Sequence, residues 1–165
     1  MRAKSRGGWS NPCVFVERSG RDAQAVEELV RLSELLALPV TENAGADRMN
    51  FPQTHAHFGV GPRPRDADVL LMLDVAAPFI PGRDSPPAPA KIAWIGPDPV
   101  LSRYKTMEYR ADIWSPANVT LALRAIIAEA EKLLNAGDLA RIGARHEHLR
   151  ARKREAEAHL AEQAA

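Results

Sequence analysis

Ala67-Asp68-Val69-Leu70-Leu71-Met72-Leu73-Asp74 and Ala90-Lys91-Ile92-Ala93-Trp94-Ile95-Gly96-Pro97-Asp98-Pro99 are the stretches whose reading decides the fold. Each is a nearly continuous apolar run rather than an alternating one, so both faces are expected to be covered, as in parallel strands flanked by helices. Each also has an aspartate at its end. In open parallel sheets the ligand crevice lies beyond the carboxyl ends of the strands, where an acid can reach a ribose hydroxyl. The plainer use of Asp74 and Asp98 is to cap loops.

Outward from these runs, strand and helix signals alternate, the pattern of βαβ units around a parallel sheet. Cys13 to Val16 reads as a first strand, and Ser19-Gly20-Arg21-Asp22 as a turn. Val26, Leu29, Val30, Ser33, Leu36 and Ala37 then mark one face of a helix that Pro39 closes. Val40 and Thr41 begin a short strand, followed by a long Gly- and Pro-containing loop with one helical turn. Pro78 to Pro89 holds five prolines and one glycine and is expected to be an extended surface crossover. Arg110 to Trp114 reads as a further strand, and Ser115-Pro116 as a cap followed by a first helical residue. Val119, Ala122, Leu123, Ile126, Ile127, Ala130, Leu133 and Leu134 give the helix that follows a wide apolar stripe, ended by Asn135 to Gly137.

The tail from Asp138 to Ala165 reads as one more helix. Leu139, Ile142, His146, Leu149, Lys153, Ala156 and Leu160 form a narrow seam that His146 and Lys153 spoil. The helix is expected either to dock through Leu139, Ile142, Leu149 and Leu160 or to project loosely, and docking near Leu139 and Ile142 with fraying beyond Lys153 is favoured. The basic run Arg150-Ala151-Arg152-Lys153-Arg154 is surrounded by Glu147, Glu155, Glu157 and Glu162 and reads as a solvated face.

Composition bounds the partners. The chain has 165 residues, 45% hydrophobic and 26% charged, enough for one core and too few for two large ones. A formal charge of +1 provides no field for nucleic acid or an anionic membrane. No apolar run approaches the ~20 residues that span a bilayer, and Cys13 to Val16 is too short for a signal-peptide core. A cytoplasmic location is expected, and the lone Cys13 fits a reducing compartment.

Several phrases in order resemble the central domain of thiamine-diphosphate-dependent enzymes such as acetolactate synthase. They are Leu38-Pro39-Val40-Thr41-Glu42-Asn43, Asn50-Phe51-Pro52-Gln53-Thr54-His55 through Phe58-Gly59, Ala67-Asp68-Val69-Leu70, and Ile95-Gly96-Pro97-Asp98-Pro99. The last is similar to the family's "I-D-x-D-P", and Tyr104 through Ile113 to its "x-Y-x-x-x-x-x-A-D-I". The resemblance implies an α/β, Rossmann-like parallel sheet flanked by helices, of the deoxyhypusine-synthase-like NAD/FAD-binding type, with a C-terminal helix. It divides the chain into a flexible segment 1–11, a central domain 12–135, and a helix 136–165 resembling an interdomain linker.

The same resemblance implies thiamine diphosphate and Mg²⁺ for a full enzyme, FAD or ADP for the central domain of some relatives, and catalytic domains as partners in cis or in trans. The family's metal–diphosphate motif, Gly-Asp-Gly, does not occur in this chain, so the chain alone is expected to be inert. A residual nucleotide site is expected over Gly20, Thr41, Asn43, Asp98 and Asp112. Only Gly20 remains of the glycine-rich first loop, Glu17 puts a negative charge beside any phosphate, and Gly96 replaces the first aspartate of the strand-end pair. Weak or no FAD and ADP binding follows. Exposed faces that meet neighbours in a parent enzyme are expected to drive self-association.

Other constellations are poorer. His55 and His57 lack a third ligand for zinc, and no serine sits in a G-x-S-x-G turn. Trp94 and Trp114 read as core residues, as do Tyr104, Met107 and Tyr109, which lie near where an adenine could stack.

Overall fold

The computed structural model describes residues 9–43, 46, 48–100 and 109–164. Five parallel strands form one sheet: β1 (Pro12–Val16), β2 (Val40–Glu42), β3 (Val69–Leu73), β4 (Lys91–Gly96) and β5 (Ile113–Pro116), in the order β2-β1-β3-β4-β5. Three helices accompany them: α1 (Ala23–Leu36), α2 (Val119–Leu133) and α3 (Ala136–Gln163). The α/β class and the C-terminal helix are thus as the sequence indicates.

Register sorts the apolar side chains into rows. Phe15, Met72, Trp94 and Trp114 stand opposite one another on one face; Val14, Leu71, Ala93 and Ile113 do so on the other, followed by Val16, Leu73 and Ile95. The Val14 face packs on Leu29 and Leu32 of α1 and on Val119, Leu123 and Ile127 of α2. The opposite face is different. Cys13, Phe15, Leu70, Met72, Ile92 and Trp94 are covered by Ala67, Val75, Ala90, Phe79 and Tyr109, all outside the helices. The continuous apolar runs therefore report burial on both faces, but among the described residues only one face is covered by helix.

The proline-rich crossover acts as that cover. Arg110 holds it down, donating to the carbonyls of Ala88 at 2.6 Å, Ala90 at 2.8 Å and Pro87 at 3.3 Å. The Trp94 indole N–H reaches the Val75 carbonyl at 3.1 Å. Tyr109 packs on Phe79 and Trp94, the core role expected of it; Tyr104 and Met107 lie outside the described residues. Trp114 stacks on Trp94 with centroids 5.1 Å apart but stays 37% exposed, because β5 is the edge strand.

Element ends differ locally from the sequence reading. Ser115 and Pro116 belong to β5 rather than to a helix start, since Pro116 pairs with Gly96 on the sheet edge, where a missing N–H is tolerated. The cap of α2 is Asn118, whose Oδ1 accepts from the Leu121 N–H at 3.0 Å. Helix α1 stops at Ala37, in the left-handed region at φ 49°, before Pro39 is reached. Asn135 does not end α2 alone; it opens α3 through a capping box with Asp138.

Candidate functional site

In a doubly wound sheet the crevice opens where the strand order reverses, here beyond the carboxyl ends of β1 and β3. The chain itself fills this place. Glu17, the first residue past β1, is buried and accepts from the Ala76 N–H and from Asn43 Nδ2, both at 2.9 Å. Asn43, just past β2, also donates to the Ala77 carbonyl at 3.0 Å. One acid and one amide thus tie three strand ends together.

Asp74, the first residue past β3, is buried at φ 49°, a conformation that aspartate adopts more readily than most residues. Its carboxylate pairs with Arg18 at 3.4 Å and with Arg21. Both arginines come from the turn between β1 and α1. The pairing neutralises them against a phosphate and folds the turn over the crevice.

The backbone donors of that turn are committed as well. Gly20 N–H goes to Asn50 Oδ1 at 2.7 Å, Arg21 N–H to Arg18, Asp22 N–H to Ser19, and Ala25 N–H to Asp22. The start of α1 is occupied by Asp22, whose carboxylate accepts from Gln24 N–H and, at 2.5 Å, from the Thr120 hydroxyl. Those bonds, the Thr120 one foremost, hold its carboxyl below the usual aspartate range. A phosphate at this helix start would meet an ionised carboxylate and few free donors.

Of the five residues expected to form a nucleotide site, Gly20, Asn43 and Asp98 lie beyond the carboxyl ends of β1, β2 and β4. Thr41 is inside β2, on the sheet face of Cys13, whose thiol points at its hydroxyl at 3.9 Å. Asp112 is not with them. It precedes β5 at the opposite, amino end of the sheet, accepting from Lys91 Nζ at 2.8 Å and from the Ile92 N–H at 2.9 Å. The Lys91 bond is the main cause of its lowered pKa.

Gly20 also has a different task from cradling phosphate. A Cβ there would stand 2.0 Å from the Met49 carbonyl oxygen, so glycine lets residues 49–50 close over the turn. Gly96 is similar. A Cβ would be 3.2 Å from Asp74 Cα, so glycine stands where the β3 and β4 ends approach closely.

Sequence reasoning missed Asn50 and the two arginines. Fully buried Asn50 accepts from Gly20 through its side chain and donates its own N–H to Glu42 Oε1 at 2.6 Å. Gly20 is 30 residues away in sequence, so only folding reveals the role. Elsewhere, burial pushes the Cys13 thiol up to about 12, which makes it inert as a nucleophile. Among the described residues no three His, Cys, Asp or Glu side chains converge as metal ligands.

No known family profile matches the sequence, and no curated protein does. The fold does match solved structures. A thiamine diphosphate-dependent 4-hydroxybenzoylformate decarboxylase of Rhodococcus jostii RHA1 is 21% identical with a TM-score of 0.56, over 74% of this chain and 25% of its own. A benzoylformate decarboxylase from Polynucleobacter necessarius is 20% identical with a TM-score of 0.51, over 77% of this chain and 25% of its own. A Mycobacterium smegmatis protein assigned to the thiamin diphosphate-dependent enzymes has the same coverage, 19% identity and a TM-score of 0.51. The chain spans about a quarter of each of these proteins. It therefore has the fold of one domain of thiamine diphosphate-dependent enzymes.

Proposed function

We propose that this chain is the central structural domain of an acetolactate synthase-like thiamine diphosphate-dependent enzyme, serving to pack against catalytic domains in cis or in trans. The observation that carries the reading is the coverage: most of this chain superimposes on about a quarter of much longer enzymes. The ordered phrases from Leu38 to Asp98 support the choice of central domain.

The residues present do not fit thiamine diphosphate with Mg²⁺. The chain has no Gly-Asp-Gly, and among the described residues no acidic cluster offers metal ligands; that cofactor belongs to the partner domains in this reading. The alternative role, a free-standing FAD or ADP module, is disfavoured by the committed donors of the β1–α1 turn and by Glu17.

The test has two arms. Purified chain supplied with thiamine diphosphate, Mg²⁺ and pyruvate should form no acetolactate above a protein-free control, and turnover that depends on Mg²⁺ overturns the structural assignment. Calorimetry with FAD and ADP should show weak or no binding, whereas a submicromolar dissociation constant establishes the module instead. In that event Asp98→Ala should weaken binding and Glu17→Gly strengthen it.

A further inference from the structure

The amino end of the sheet, opposite the crevice, contains an open cavity. The row Val14, Leu71, Ala93 and Ile113 forms its floor, and Leu32 of α1 and Ile126 of α2 form its roof. Three members of that row are large and branched, but the Ala93 methyl is short, leaving a hollow of about 340 Å³. That size lies within the range of small-molecule sites. Its walls are apolar except for Lys91 and Asp112, which are paired with each other at 2.8 Å. Water finds few partners in such a space, whereas a hydrocarbon chain fits it.

A second compartment, about 620 Å³, shares Trp9, Leu36 and Leu38 with the first and reaches Arg141 and Arg145 of α3. The two arginines differ. Arg141 is paired with Asp138. Arg145 donates only to backbone carbonyls, of Trp9 at 2.8 Å and Leu36 at 3.2 Å, and no carboxylate of the described residues lies within ion-pair distance. Partial burial lowers its pKa and Arg141 adds to this, against the field of Asp68, which acts from beyond ion-pair distance.

We propose that these adjoining compartments together bind a medium-chain carboxylate, with its hydrocarbon tail over Ala93 and its carboxylate on Arg145. A carboxylate suits the planar fork of arginine, and Arg145 is in no ion pair with the described residues, whereas Lys91 and Arg141 are each paired with an acid. This site is independent of the central-domain reading and lies at the other end of the sheet.

Methyl NMR of the full chain, titrated with decanoate below its micelle-forming concentration, tests the proposal. Leu32, Leu71 and Ile126 methyls should shift saturably, while those of Val16 and Leu123, which do not line the cavity, stay in place. Ala93→Phe should fill the hollow and abolish the shifts. Arg145→Gln should weaken decanoate about tenfold yet leave decanol binding unchanged, and Arg145→Lys, which keeps the charge but loses the fork, should restore only part of the affinity. Absence of shifts at millimolar decanoate, equal losses for acid and alcohol, or binding that survives Ala93→Phe overturns the proposal. Phosphatidylglycerol vesicles should leave the cavity methyls unmoved; if they shift them, the ligand is a membrane lipid and the free carboxylate is the wrong assignment.

Discussion

Gly20 and Gly143 separate two uses of the same residue. At Gly20 the space for a side chain is taken by the Met49 carbonyl, while at Gly143, exposed in the middle of α3, a Cβ would meet nothing within 4 Å. Gly20→Ala should therefore destabilise the fold by about 2 kcal/mol, the cost of forcing backbone apart. Gly143→Ala should stabilise it by about 1 kcal/mol through helix propensity. Urea denaturation of both variants reads the opposite shifts in midpoint; a neutral Gly20→Ala would mean that the 49–50 segment yields freely. The sequence marks both positions only as glycine, since the neighbour that makes one of them indispensable is about 30 residues away in the chain.

At the scale of elements, α3 docks through the residues that look least suited to it. Leu139 and Leu160 are exposed, whereas buried Leu149 meets Ala37 and Val60, with Ile142 beside them. Lys153 lies over the Phe58 ring at 5.5 Å and donates to the Gln53 carbonyl at 2.8 Å. His146 bridges to the Glu34 carbonyl at 2.9 Å and to His57 Nε2 at 3.0 Å. His57 Nδ1 in turn faces Ser33 Oγ at 2.8 Å, and Ser33 donates to the Leu38 carbonyl at 2.7 Å. The spoiled positions of the seam are thus its polar latch.

Around His57 lie His55, whose Nε2 is 3.5 Å from Glu34, together with His146 and Arg150 of α3. Burial first, then the fields of His55, His146 and Arg150, depress its pKa to about 4. An unfolded imidazole takes its proton near 6.5, so between these values the unfolded chain binds more protons. Stability should fall as pH is lowered through this window, by on the order of 3 kcal/mol, and His57→Gln should flatten the slope. Equal slopes for both proteins would remove His57 as the cause. Hydrogen exchange tests the docking: amides from Ile142 to Lys153 should be protected and those after Arg154 exchange rapidly, since nearly every described side chain past Lys153 is exposed. Uniform protection to the end would instead indicate a coiled-coil dimer.

At the scale of the molecule, the two ends of the sheet contrast. The carboxyl end is closed by Glu17, Asn43, Asp74 and their partners, while the amino end is open and apolar. Large apolar side chains also stand in solvent: Ile113 on β5 at 58% exposure, and Leu121 at 63% and Leu133 at 76% on α2. Such surface favours association. Sedimentation should show a species that grows with concentration, and the double variant Ile113→Lys, Leu133→Glu should shift it toward monomer. No dependence on concentration in the parent protein would exclude self-association through these residues. No helix among the described residues is long and apolar enough to cross a membrane.

What the sequence by itself determined is the strand–helix alternation, the parallel sheet and the burial of the runs at Val69–Leu73 and Lys91–Gly96, because apolar periodicity is local and acts through short-range geometry. Of the buried positions of α1, Leu29 and Ser33 lie on the stripe that hydropathy marks and Ala25 and Leu32 lie beside it, since the angle at which the helix meets the sheet is a property of packing. Only the tertiary structure decided that Asp112 stands at the far end from Asn43, that Asn50 closes the Gly20 turn, and that His146 and Lys153 hold α3. Each of these depends on which distant backbone groups are left to be satisfied once the sheet has formed, and buried polar groups take whatever partner the packing provides.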